Sequence, residues 1–493
     1  MNIYPDFETF KQMSRSFTFL PMYAELLGDL ETPVSAFMKI RKGSYNFLLE
    51  SAEQEEKIGR YSFIGTVPEF TVKGKGKTVE IYYNLTGEKK EIIRDNPVGI
   101  LDDILARRKS PSLPGLPGFT GGLIGYFSYD FVRQIEKIPE IASSDSLDCP
   151  DFFFMFAKDI IIFDHFKRKI ILVTNVDISN STSVEQAYET GKAALFDIRN
   201  KLGKTLFLMD TASSLTNTEF KSNFEKENFI EAVQKVKKHI KTGDIIQAVI
   251  SQRWAKKIDV NPFNIYRALR SVNPSPYMFY LEAANIKMVG SSPEILVKFE
   301  KGKVTLRPIA GTRPRGKDDL EEKNLETELL ADEKERAEHI MLVDLGRNDL
   351  GKICVPGSIE VTELMAIEKY SHVMHLVSNI EGQLKKGKTL TDIIKASFPA
   401  GTVSGAPKIR AMEIIEEVEP VRRGLYAGAV GYFSLQQNMD FCITIRTLVV
   451  RDEWVYIQAG AGIVADSLPE REYEETENKV RCLMEAYRFT SKI

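Results

Sequence analysis

The chain has 493 residues, 66 basic against 69 acidic side chains (formal net charge −3) and 43% apolar residues. That length calls for several domains or one large layered unit. The near-neutral balance offers no basis for a nucleic-acid or membrane-surface partner, and the ordinary apolar fraction excludes disorder, collagen and coiled coil as the overall class.

The first residues, MNIYPDFETFKQMS, lack the basic-then-apolar pattern of a signal peptide. No apolar run approaches the ~18 residues of a spanning helix. Cys149, Cys354, Cys442 and Cys482 are far apart and form no CxxC, which argues against a disulfide framework and fits a reducing compartment. A cytoplasmic chain is expected. KTVEIYYNL (77–85), FFFMFAKDIIIFD (152–164) and RKIILVTNV (168–176) read as strands, and the Pro/Gly-rich KSPSLPGLPGFTGG (109–122) as a loop. GKGKT (74–78) fails the P-loop spacing, because Thr71 stands where the first glycine is needed. The polar seam TASSLTNTEFKSNFEKEN (211–228) divides the chain into an N-terminal region, 1–210, and a second region, 225–493.

Beyond the seam, Phe229, Val233, Val236 and Ile240 recur at helical spacing, and Gly243 is a natural stop. DIIQAVISQRW reads as a strand. DEKERAEHIMLVDLGRND reads as a helix placing Glu335 and Glu338 on one face, and the adjoining IMLVDL predicts substantial burial. In SHVMHLVS, His372 and His375 have no evident third metal ligand, so at least one is expected to be packed and hydrogen-bonded. SFPAGTVSGAPKIRAMEIIEEVEP reads as a loop entering a helix at Pro407, where Thr402, Ser404 and the loop amides suit either an anion or simple capping. Alternation in MDFCITIRTLVV places Cys442, Thr444 and Arg446 on one strand face. EWVYIQAGAGIV reads as a strand running into a Gly-Ala-Gly turn. The last helix opens at Pro469 with an acidic first turn, and Glu475 and Lys479 share a face.

Carboxylate pairs on helices are usually solvated faces. Apolar company turns Glu335 and Glu338 toward a cation, and oxygen-only ligands suit Mg²⁺. Glycine turns in PIAGTRPRG and QAGAGIVADS could expose amides to a carboxylate, although ordinary tight turns explain a lone Gly-x-Gly equally well. No GxGxxG, HExxH or GxSxG is present.

The runs GSSPEILVKF, RPIAGTRPRG, HIMLVDLGRNDLGKI, VMHLVSNIEG, GTVSGAPKIRAMEII, YAGAVGYFS, CITIRTLVV, IQAGAGIVADS and EETENKVR together resemble the chorismate-utilising enzymes, most closely anthranilate synthase component I. The resemblance implies an α/β fold of the α+β type: a large sandwich of two mostly antiparallel sheets flanked by helices, with the active site between the sheets. It implies chorismate as substrate and Mg²⁺ held by Glu338 and Glu475, with Glu335 nearby. Gly311, Thr312, Tyr426, Arg446, Gly460, Ala461, Gly462 and Lys479 would bind the substrate. Glu294 would be the general acid, with His375 and Thr402 beside the reacting ring.

Within that family, Gln247 stands where water-adding members carry a lysine base. Ala310 stands where aminodeoxychorismate synthases often carry a nucleophilic lysine. Both favour amination by ammonia to anthranilate. FLLESAE (47–53) and NPSPYMFYLE (273–282) resemble tryptophan-effector segments, which would place Glu50, Ser51, Asn273, Pro276, Tyr277, Met278, Phe279 and Cys442 around a feedback inhibitor. No glutaminase segment is evident. The resemblance therefore implies a separate glutamine amidotransferase subunit supplying ammonia, in a heterotetramer of two large and two small subunits. The alternatives are aminodeoxychorismate synthase and a non-catalytic chorismate-binding regulatory homologue.

Overall fold

The computed structural model describes residues 1–51, 59–141, 147–206, 219–370 and 373–492. Its frame is two large sheets, of 13 and 12 strands among the described residues, with every strand pairing within each sheet antiparallel. Helices cover the outer face of each sheet, so the expected sandwich is the observed one.

The packing explains the composition of the strands. In Phe152–Ala157, Phe152, Phe154 and Phe156 join the core under the outer helices, while Phe153, Met155 and Ala157 join the core between the sheets. A strand buried on both faces has no polar side, which is why FFFMFA is an unbroken apolar run. The next strand, Asp159–Asp164, belongs to the other sheet, with Lys158 alone between them. There Ile160 and Ile162 fill the inter-sheet core and Ile161 and Phe163 the outer one.

The N-terminal and C-terminal regions contribute to both sheets. Tyr45–Glu50 pairs with Tyr277–Ala283, and Gly122–Phe127 pairs with Ala429–Ser434.

Local signals set the helix ends. Gly243 closes Lys226–Thr242 at φ +82°, a left-handed conformation that a side chain would strain. Asp332 caps Glu333–Ile353, its carboxylate accepting from the N–H groups of Lys334 (3.0 Å) and Glu335 (3.1 Å). This helix buries only a stripe: His339, Leu342, Val343, Asp349, Leu350 and Ile353, with Ile340 left 53% exposed. It is thus less buried than IMLVDL suggested.

Two expectations fail in the last strands. MDFCITIRTLVV is not one strand. Met439–Ile443 lies in the 12-stranded sheet and Thr447–Arg451 in the other, and Arg446 sits between them at φ +50°. Cys442 and Arg446 therefore share no face. The Gly-Ala-Gly turn is also absent, since Trp454–Ile463 runs straight through it. Gly460, Ala461 and Gly462 pair with Ser251, Ile250 and Val249 of Gln247–Lys257.

Candidate active site

Two of the predicted site residues lie where the chain changes sheets. Glu294 lies in the two-residue link between Ile286–Ser292 and Ile295–Glu300, and Arg446 in the link described above. The links are bonded to each other: Ile443 N–H donates to the Glu294 carbonyl (3.0 Å) and Ser291 N–H to the Arg446 carbonyl (3.1 Å).

Glu294 is 8% exposed. Burial pushes its carboxyl up to about 8, against smaller downward pulls from the Thr402 hydroxyl and Lys479. The Thr402 hydroxyl donates to Glu294 Oε1 at 2.9 Å. Lys479 Nζ donates to the Gly460 carbonyl (2.9 Å) and pairs with Glu475 Oε1 (2.7 Å), tying the last helix to the glycine strand. Burial raises the Tyr426 hydroxyl, whose oxygen meets the Gly460 amide.

The glycines in this strand serve proximity, not turning. A Cβ on Gly462 would come to 2.5 Å from Gln247 Nε2, and one on Gly460 to 2.9 Å from the Tyr426 hydroxyl. Gln247 Nε2 donates to Glu338 Oε1 at 3.3 Å, while its Oε1 is buried without a partner among the described residues.

Glu335 stands on the same helix face as Glu338. Burial, then the charges of Glu338 and Asp332, raise its carboxyl. Gly311 sits at a bulge in Ile309–Pro314 with φ +67°, where a Cβ would come within 3.3 Å of Glu335 Oε2. His375 Nδ1 lies 2.9 Å from the Gly311 carbonyl and 3.1 Å from Thr312 Oγ1, so that nitrogen carries the proton and Nε2 is the free acceptor. Burial lowers its pKa, and Arg446 adds to the effect. His372 lies outside the described residues.

No three His, Cys, Asp or Glu side chains form a closed metal cage among the described residues. The carboxylates nevertheless fit Mg²⁺, which takes one or two protein carboxylates and completes its shell with water and substrate oxygens. Glu335 and Glu338 repel each other on one helix face, and of the two Arg313 Nη1 reaches only Glu335, at 3.7 Å from its Oε1. Glu475 is neutralised by Lys479.

The loop before Lys408–Val418 provides no amide cradle at Val403 and Ser404. Their N–H groups bond to the carbonyls of Ala400 (3.3 Å) and Gly401 (3.2 Å), and Gly405–Ala406 pairs with Gln247 and Ala248. The anion-site reading of those amides is thereby set aside.

A second region is a cleft of about 890 Å³ between the sheets. Glu50, Ser51, Pro276, Tyr277, Met278, Phe279 and Cys442 all line it, while Asn273 does not. Asn273 instead ends the Pro262–Val272 helix and donates to Ser291 Oγ at 2.9 Å. Glu50 is not an open carboxylate: Tyr266 donates to it and Arg270 Nε pairs at 3.1 Å. Ser51 Oγ is buried with no partner among the described residues. Ala52 and Glu53, which close the FLLESAE match, lie outside them.

The sequence reading missed Asp440, whose carboxyl burial pushes up to about 6 and which accepts from the Tyr277 hydroxyl across the cleft (3.0 Å). It also missed Glu419 and Arg423.

Four similarities bear on this geometry. The family model described as chorismate binding enzyme matches residues 44–485. The anthranilate synthase component 1 of Aquifex aeolicus is 47% identical over 489 residues, covering 99% of this chain and 98% of that protein. The crystal structure of anthranilate synthase component I from Streptococcus pneumoniae superposes with a TM-score of 0.77 at 37% identity, covering 93% of this chain and 99% of that one. The menaquinone-specific isochorismate synthase of Escherichia coli shares the fold, with a TM-score of 0.70 at 19% identity over 97% of this chain and 98% of that one.

Proposed function

We propose that this chain, which belongs to the chorismate binding enzymes alongside the anthranilate synthase component 1 proteins, converts chorismate and ammonia to anthranilate and pyruvate. The observation that carries the reading is Glu294: a carboxyl pushed up to about 8 is protonated at neutral pH and can give its proton to a departing hydroxyl. Ammonia adds at C2 of the ring while the C4 hydroxyl takes that proton and leaves as water. The C2 proton is then lost, the enolpyruvyl C–O bond breaks, and pyruvate departs as the ring becomes aromatic.

Gln247 supports ammonia as nucleophile. An amide is no base for water, but its unpartnered Oε1 can accept an N–H of ammonia. Ala310 carries no nucleophile, which separates the reading from a lysine-dependent aminodeoxychorismate route. Arg446 would hold a substrate carboxylate, with Tyr426, Lys479 and the Gly460–Gly462 strand lining the enolpyruvyl side and Gly311, Thr312 and His375 the ring side. Glu338, Glu335 and Glu475 would hold Mg²⁺, which when bound supplies positive charge against the ring carboxylate.

The inter-sheet cleft is read as the site of feedback by L-tryptophan. The unpartnered Ser51 hydroxyl suits the ammonium group, and Met278, Phe279 and Cys442 suit the indole. Glutamine-dependent turnover would need an amidotransferase partner, anthranilate synthase component II.

The test is the purified chain with chorismate, Mg²⁺ and ammonium, followed by anthranilate fluorescence and pyruvate release. Matched formation of both products supports the reading. Chorismate consumed without pyruvate points to aminodeoxychorismate and overturns it.

A further inference from the structure

We propose that Arg423, held by Glu419, is the positioning residue of this site: it sets Thr402 against Glu294 and fixes Tyr426 beside the glycine strand. The inference rests on the roles given above to Glu294 and Tyr426.

Arg423 and Glu419 form an ion pair at 2.6 Å with side chains 1% and 4% exposed. Burying such a pair is expensive, and a well-packed apolar pair would serve stability as well or better. What apolar side chains could not supply is the rest of the geometry. Nη1 donates to the Val403 carbonyl (2.6 Å), one residue from Thr402. Nη2 donates to the Val249 carbonyl (2.6 Å), two residues from Gln247 on the strand that pairs with Gly462. The guanidinium lies 5.6 Å from the Tyr426 ring centroid and 4.7 Å from that of Tyr129.

Glu419 accepts from Arg423 Nε (2.9 Å) and from both the N–H (2.7 Å) and hydroxyl (2.8 Å) of Ser251. One rigid fork thus spans the loop of Thr402, the strand of Gln247 and the turn of Tyr426. Each of those elements brings one group to the substrate, and none is bonded by this fork to the substrate itself. A planar guanidinium can hold two carbonyls and a carboxylate at fixed angles, whereas an ammonium cannot.

The experiment uses the full chain with Arg423→Lys, which keeps the charge, and Glu419→Gln/Arg423→Met, which removes the buried pair together so that neither partner is left unpaired. Thermal unfolding by circular dichroism establishes that each variant folds. Ammonia-dependent turnover gives kcat and KM, and hydrogen exchange reads the amides of Val249, Val403 and Ser404. Expected for both are a kcat lower by about 10²-fold, the usual effect of a displacement near 1 Å, little change in KM for chorismate, and faster exchange at those amides. Arg423→Lys combined with Thr402→Val should lose less than the product of the two single losses, because part of the effect of Arg423 passes through Thr402.

Additive losses, an unchanged kcat, or unchanged exchange would overturn the proposal. Full activity in Glu294→Gln would overturn the acid role of Glu294 instead, and the exchange result would then decide for or against Arg423 by itself.

Discussion

Glu294 and Arg446 occupy neighbouring links between the two sheets, bonded so that each backbone carbonyl accepts from the strand end beside the other (3.0 and 3.1 Å). The proposed proton donor and the proposed carboxylate binder are therefore placed by the same joint.

Glu294→Gln should lower kcat by about 10²–10⁴-fold, the range typical of a lost general acid. In the wild type, kcat should fall as pH rises through about 8, where the acid loses its proton. Stability carries the same signature. With its carboxyl at about 8 in place of the ordinary 4.5, the folded state holds an extra proton between those values. Stability contributed by this group is complete below about 4.5 and is lost as pH rises toward 8, at up to ~1.4 kcal/mol per pH unit. Urea unfolding at several pH values should show this slope flattened in Glu294→Gln; an unchanged slope would count against the raised carboxyl.

Gly462→Ala should fold and yet lose turnover. The new methyl would meet Gln247 Nε2 at 2.5 Å and push the amide off Glu338. A loss of about tenfold or more in kcat is expected, with KM for ammonia rising, because the amide oxygen is the proposed ammonia contact. Steady-state kinetics with varied ammonium at fixed pH decides it.

Removal of Mg²⁺ by EDTA should abolish anthranilate formation, and added Mg²⁺ should restore it. Glu338→Gln should raise the Mg²⁺ concentration needed for half-maximal activity by about tenfold or more. Titration calorimetry of Mg²⁺ in the presence of chorismate reads the same loss without turnover. Equal Mg²⁺ affinity in wild type and variant would remove Glu338 from the ligand set.

Ser51→Ala should relieve inhibition by tryptophan while leaving uninhibited turnover intact, since Ser51 lines the cleft and its hydroxyl bonds to no group of the proposed active site. Loss of activity in step with loss of inhibition would show that Ser51 serves the fold instead.

Local spacing in the sequence showed single elements of the proposed site better than the way they are joined. The pair Glu335 and Glu338, the pair Glu475 and Lys479, and the stop at Gly243 all follow from helical spacing and local capping, and the structure has them. The link at Arg446 was hidden, because no glycine or proline marks it and the flanking residues alternate as one long strand would. Its φ of +50° is imposed by the change of sheet, not by residue type. Gly460 and Gly462 misled in the opposite sense. Glycine suggested a turn, yet here it leaves room in an extended strand for Tyr426 and Gln247. Asn273 was grouped with the cleft by motif, but tertiary packing turned it toward Ser291. No local pattern could reveal Arg423, whose partners Val249 and Val403 are 174 and 20 residues away.

The sharing of both sheets between the two regions bears on how the chain can be divided. A fragment of residues 225–493 would leave Tyr277–Ala283 without Tyr45–Glu50 and Ala429–Ser434 without Gly122–Phe127. Each would present an open row of backbone donors and acceptors flanked by aromatic and aliphatic side chains, the usual template for edge-to-edge association. Although every residue assigned to the chemistry lies within that fragment, it should be insoluble alone and recover solubility and turnover only when produced together with residues 1–224. The first half of the chain would then act as a built-in chaperone of the second, occupying edges that would otherwise seek other copies.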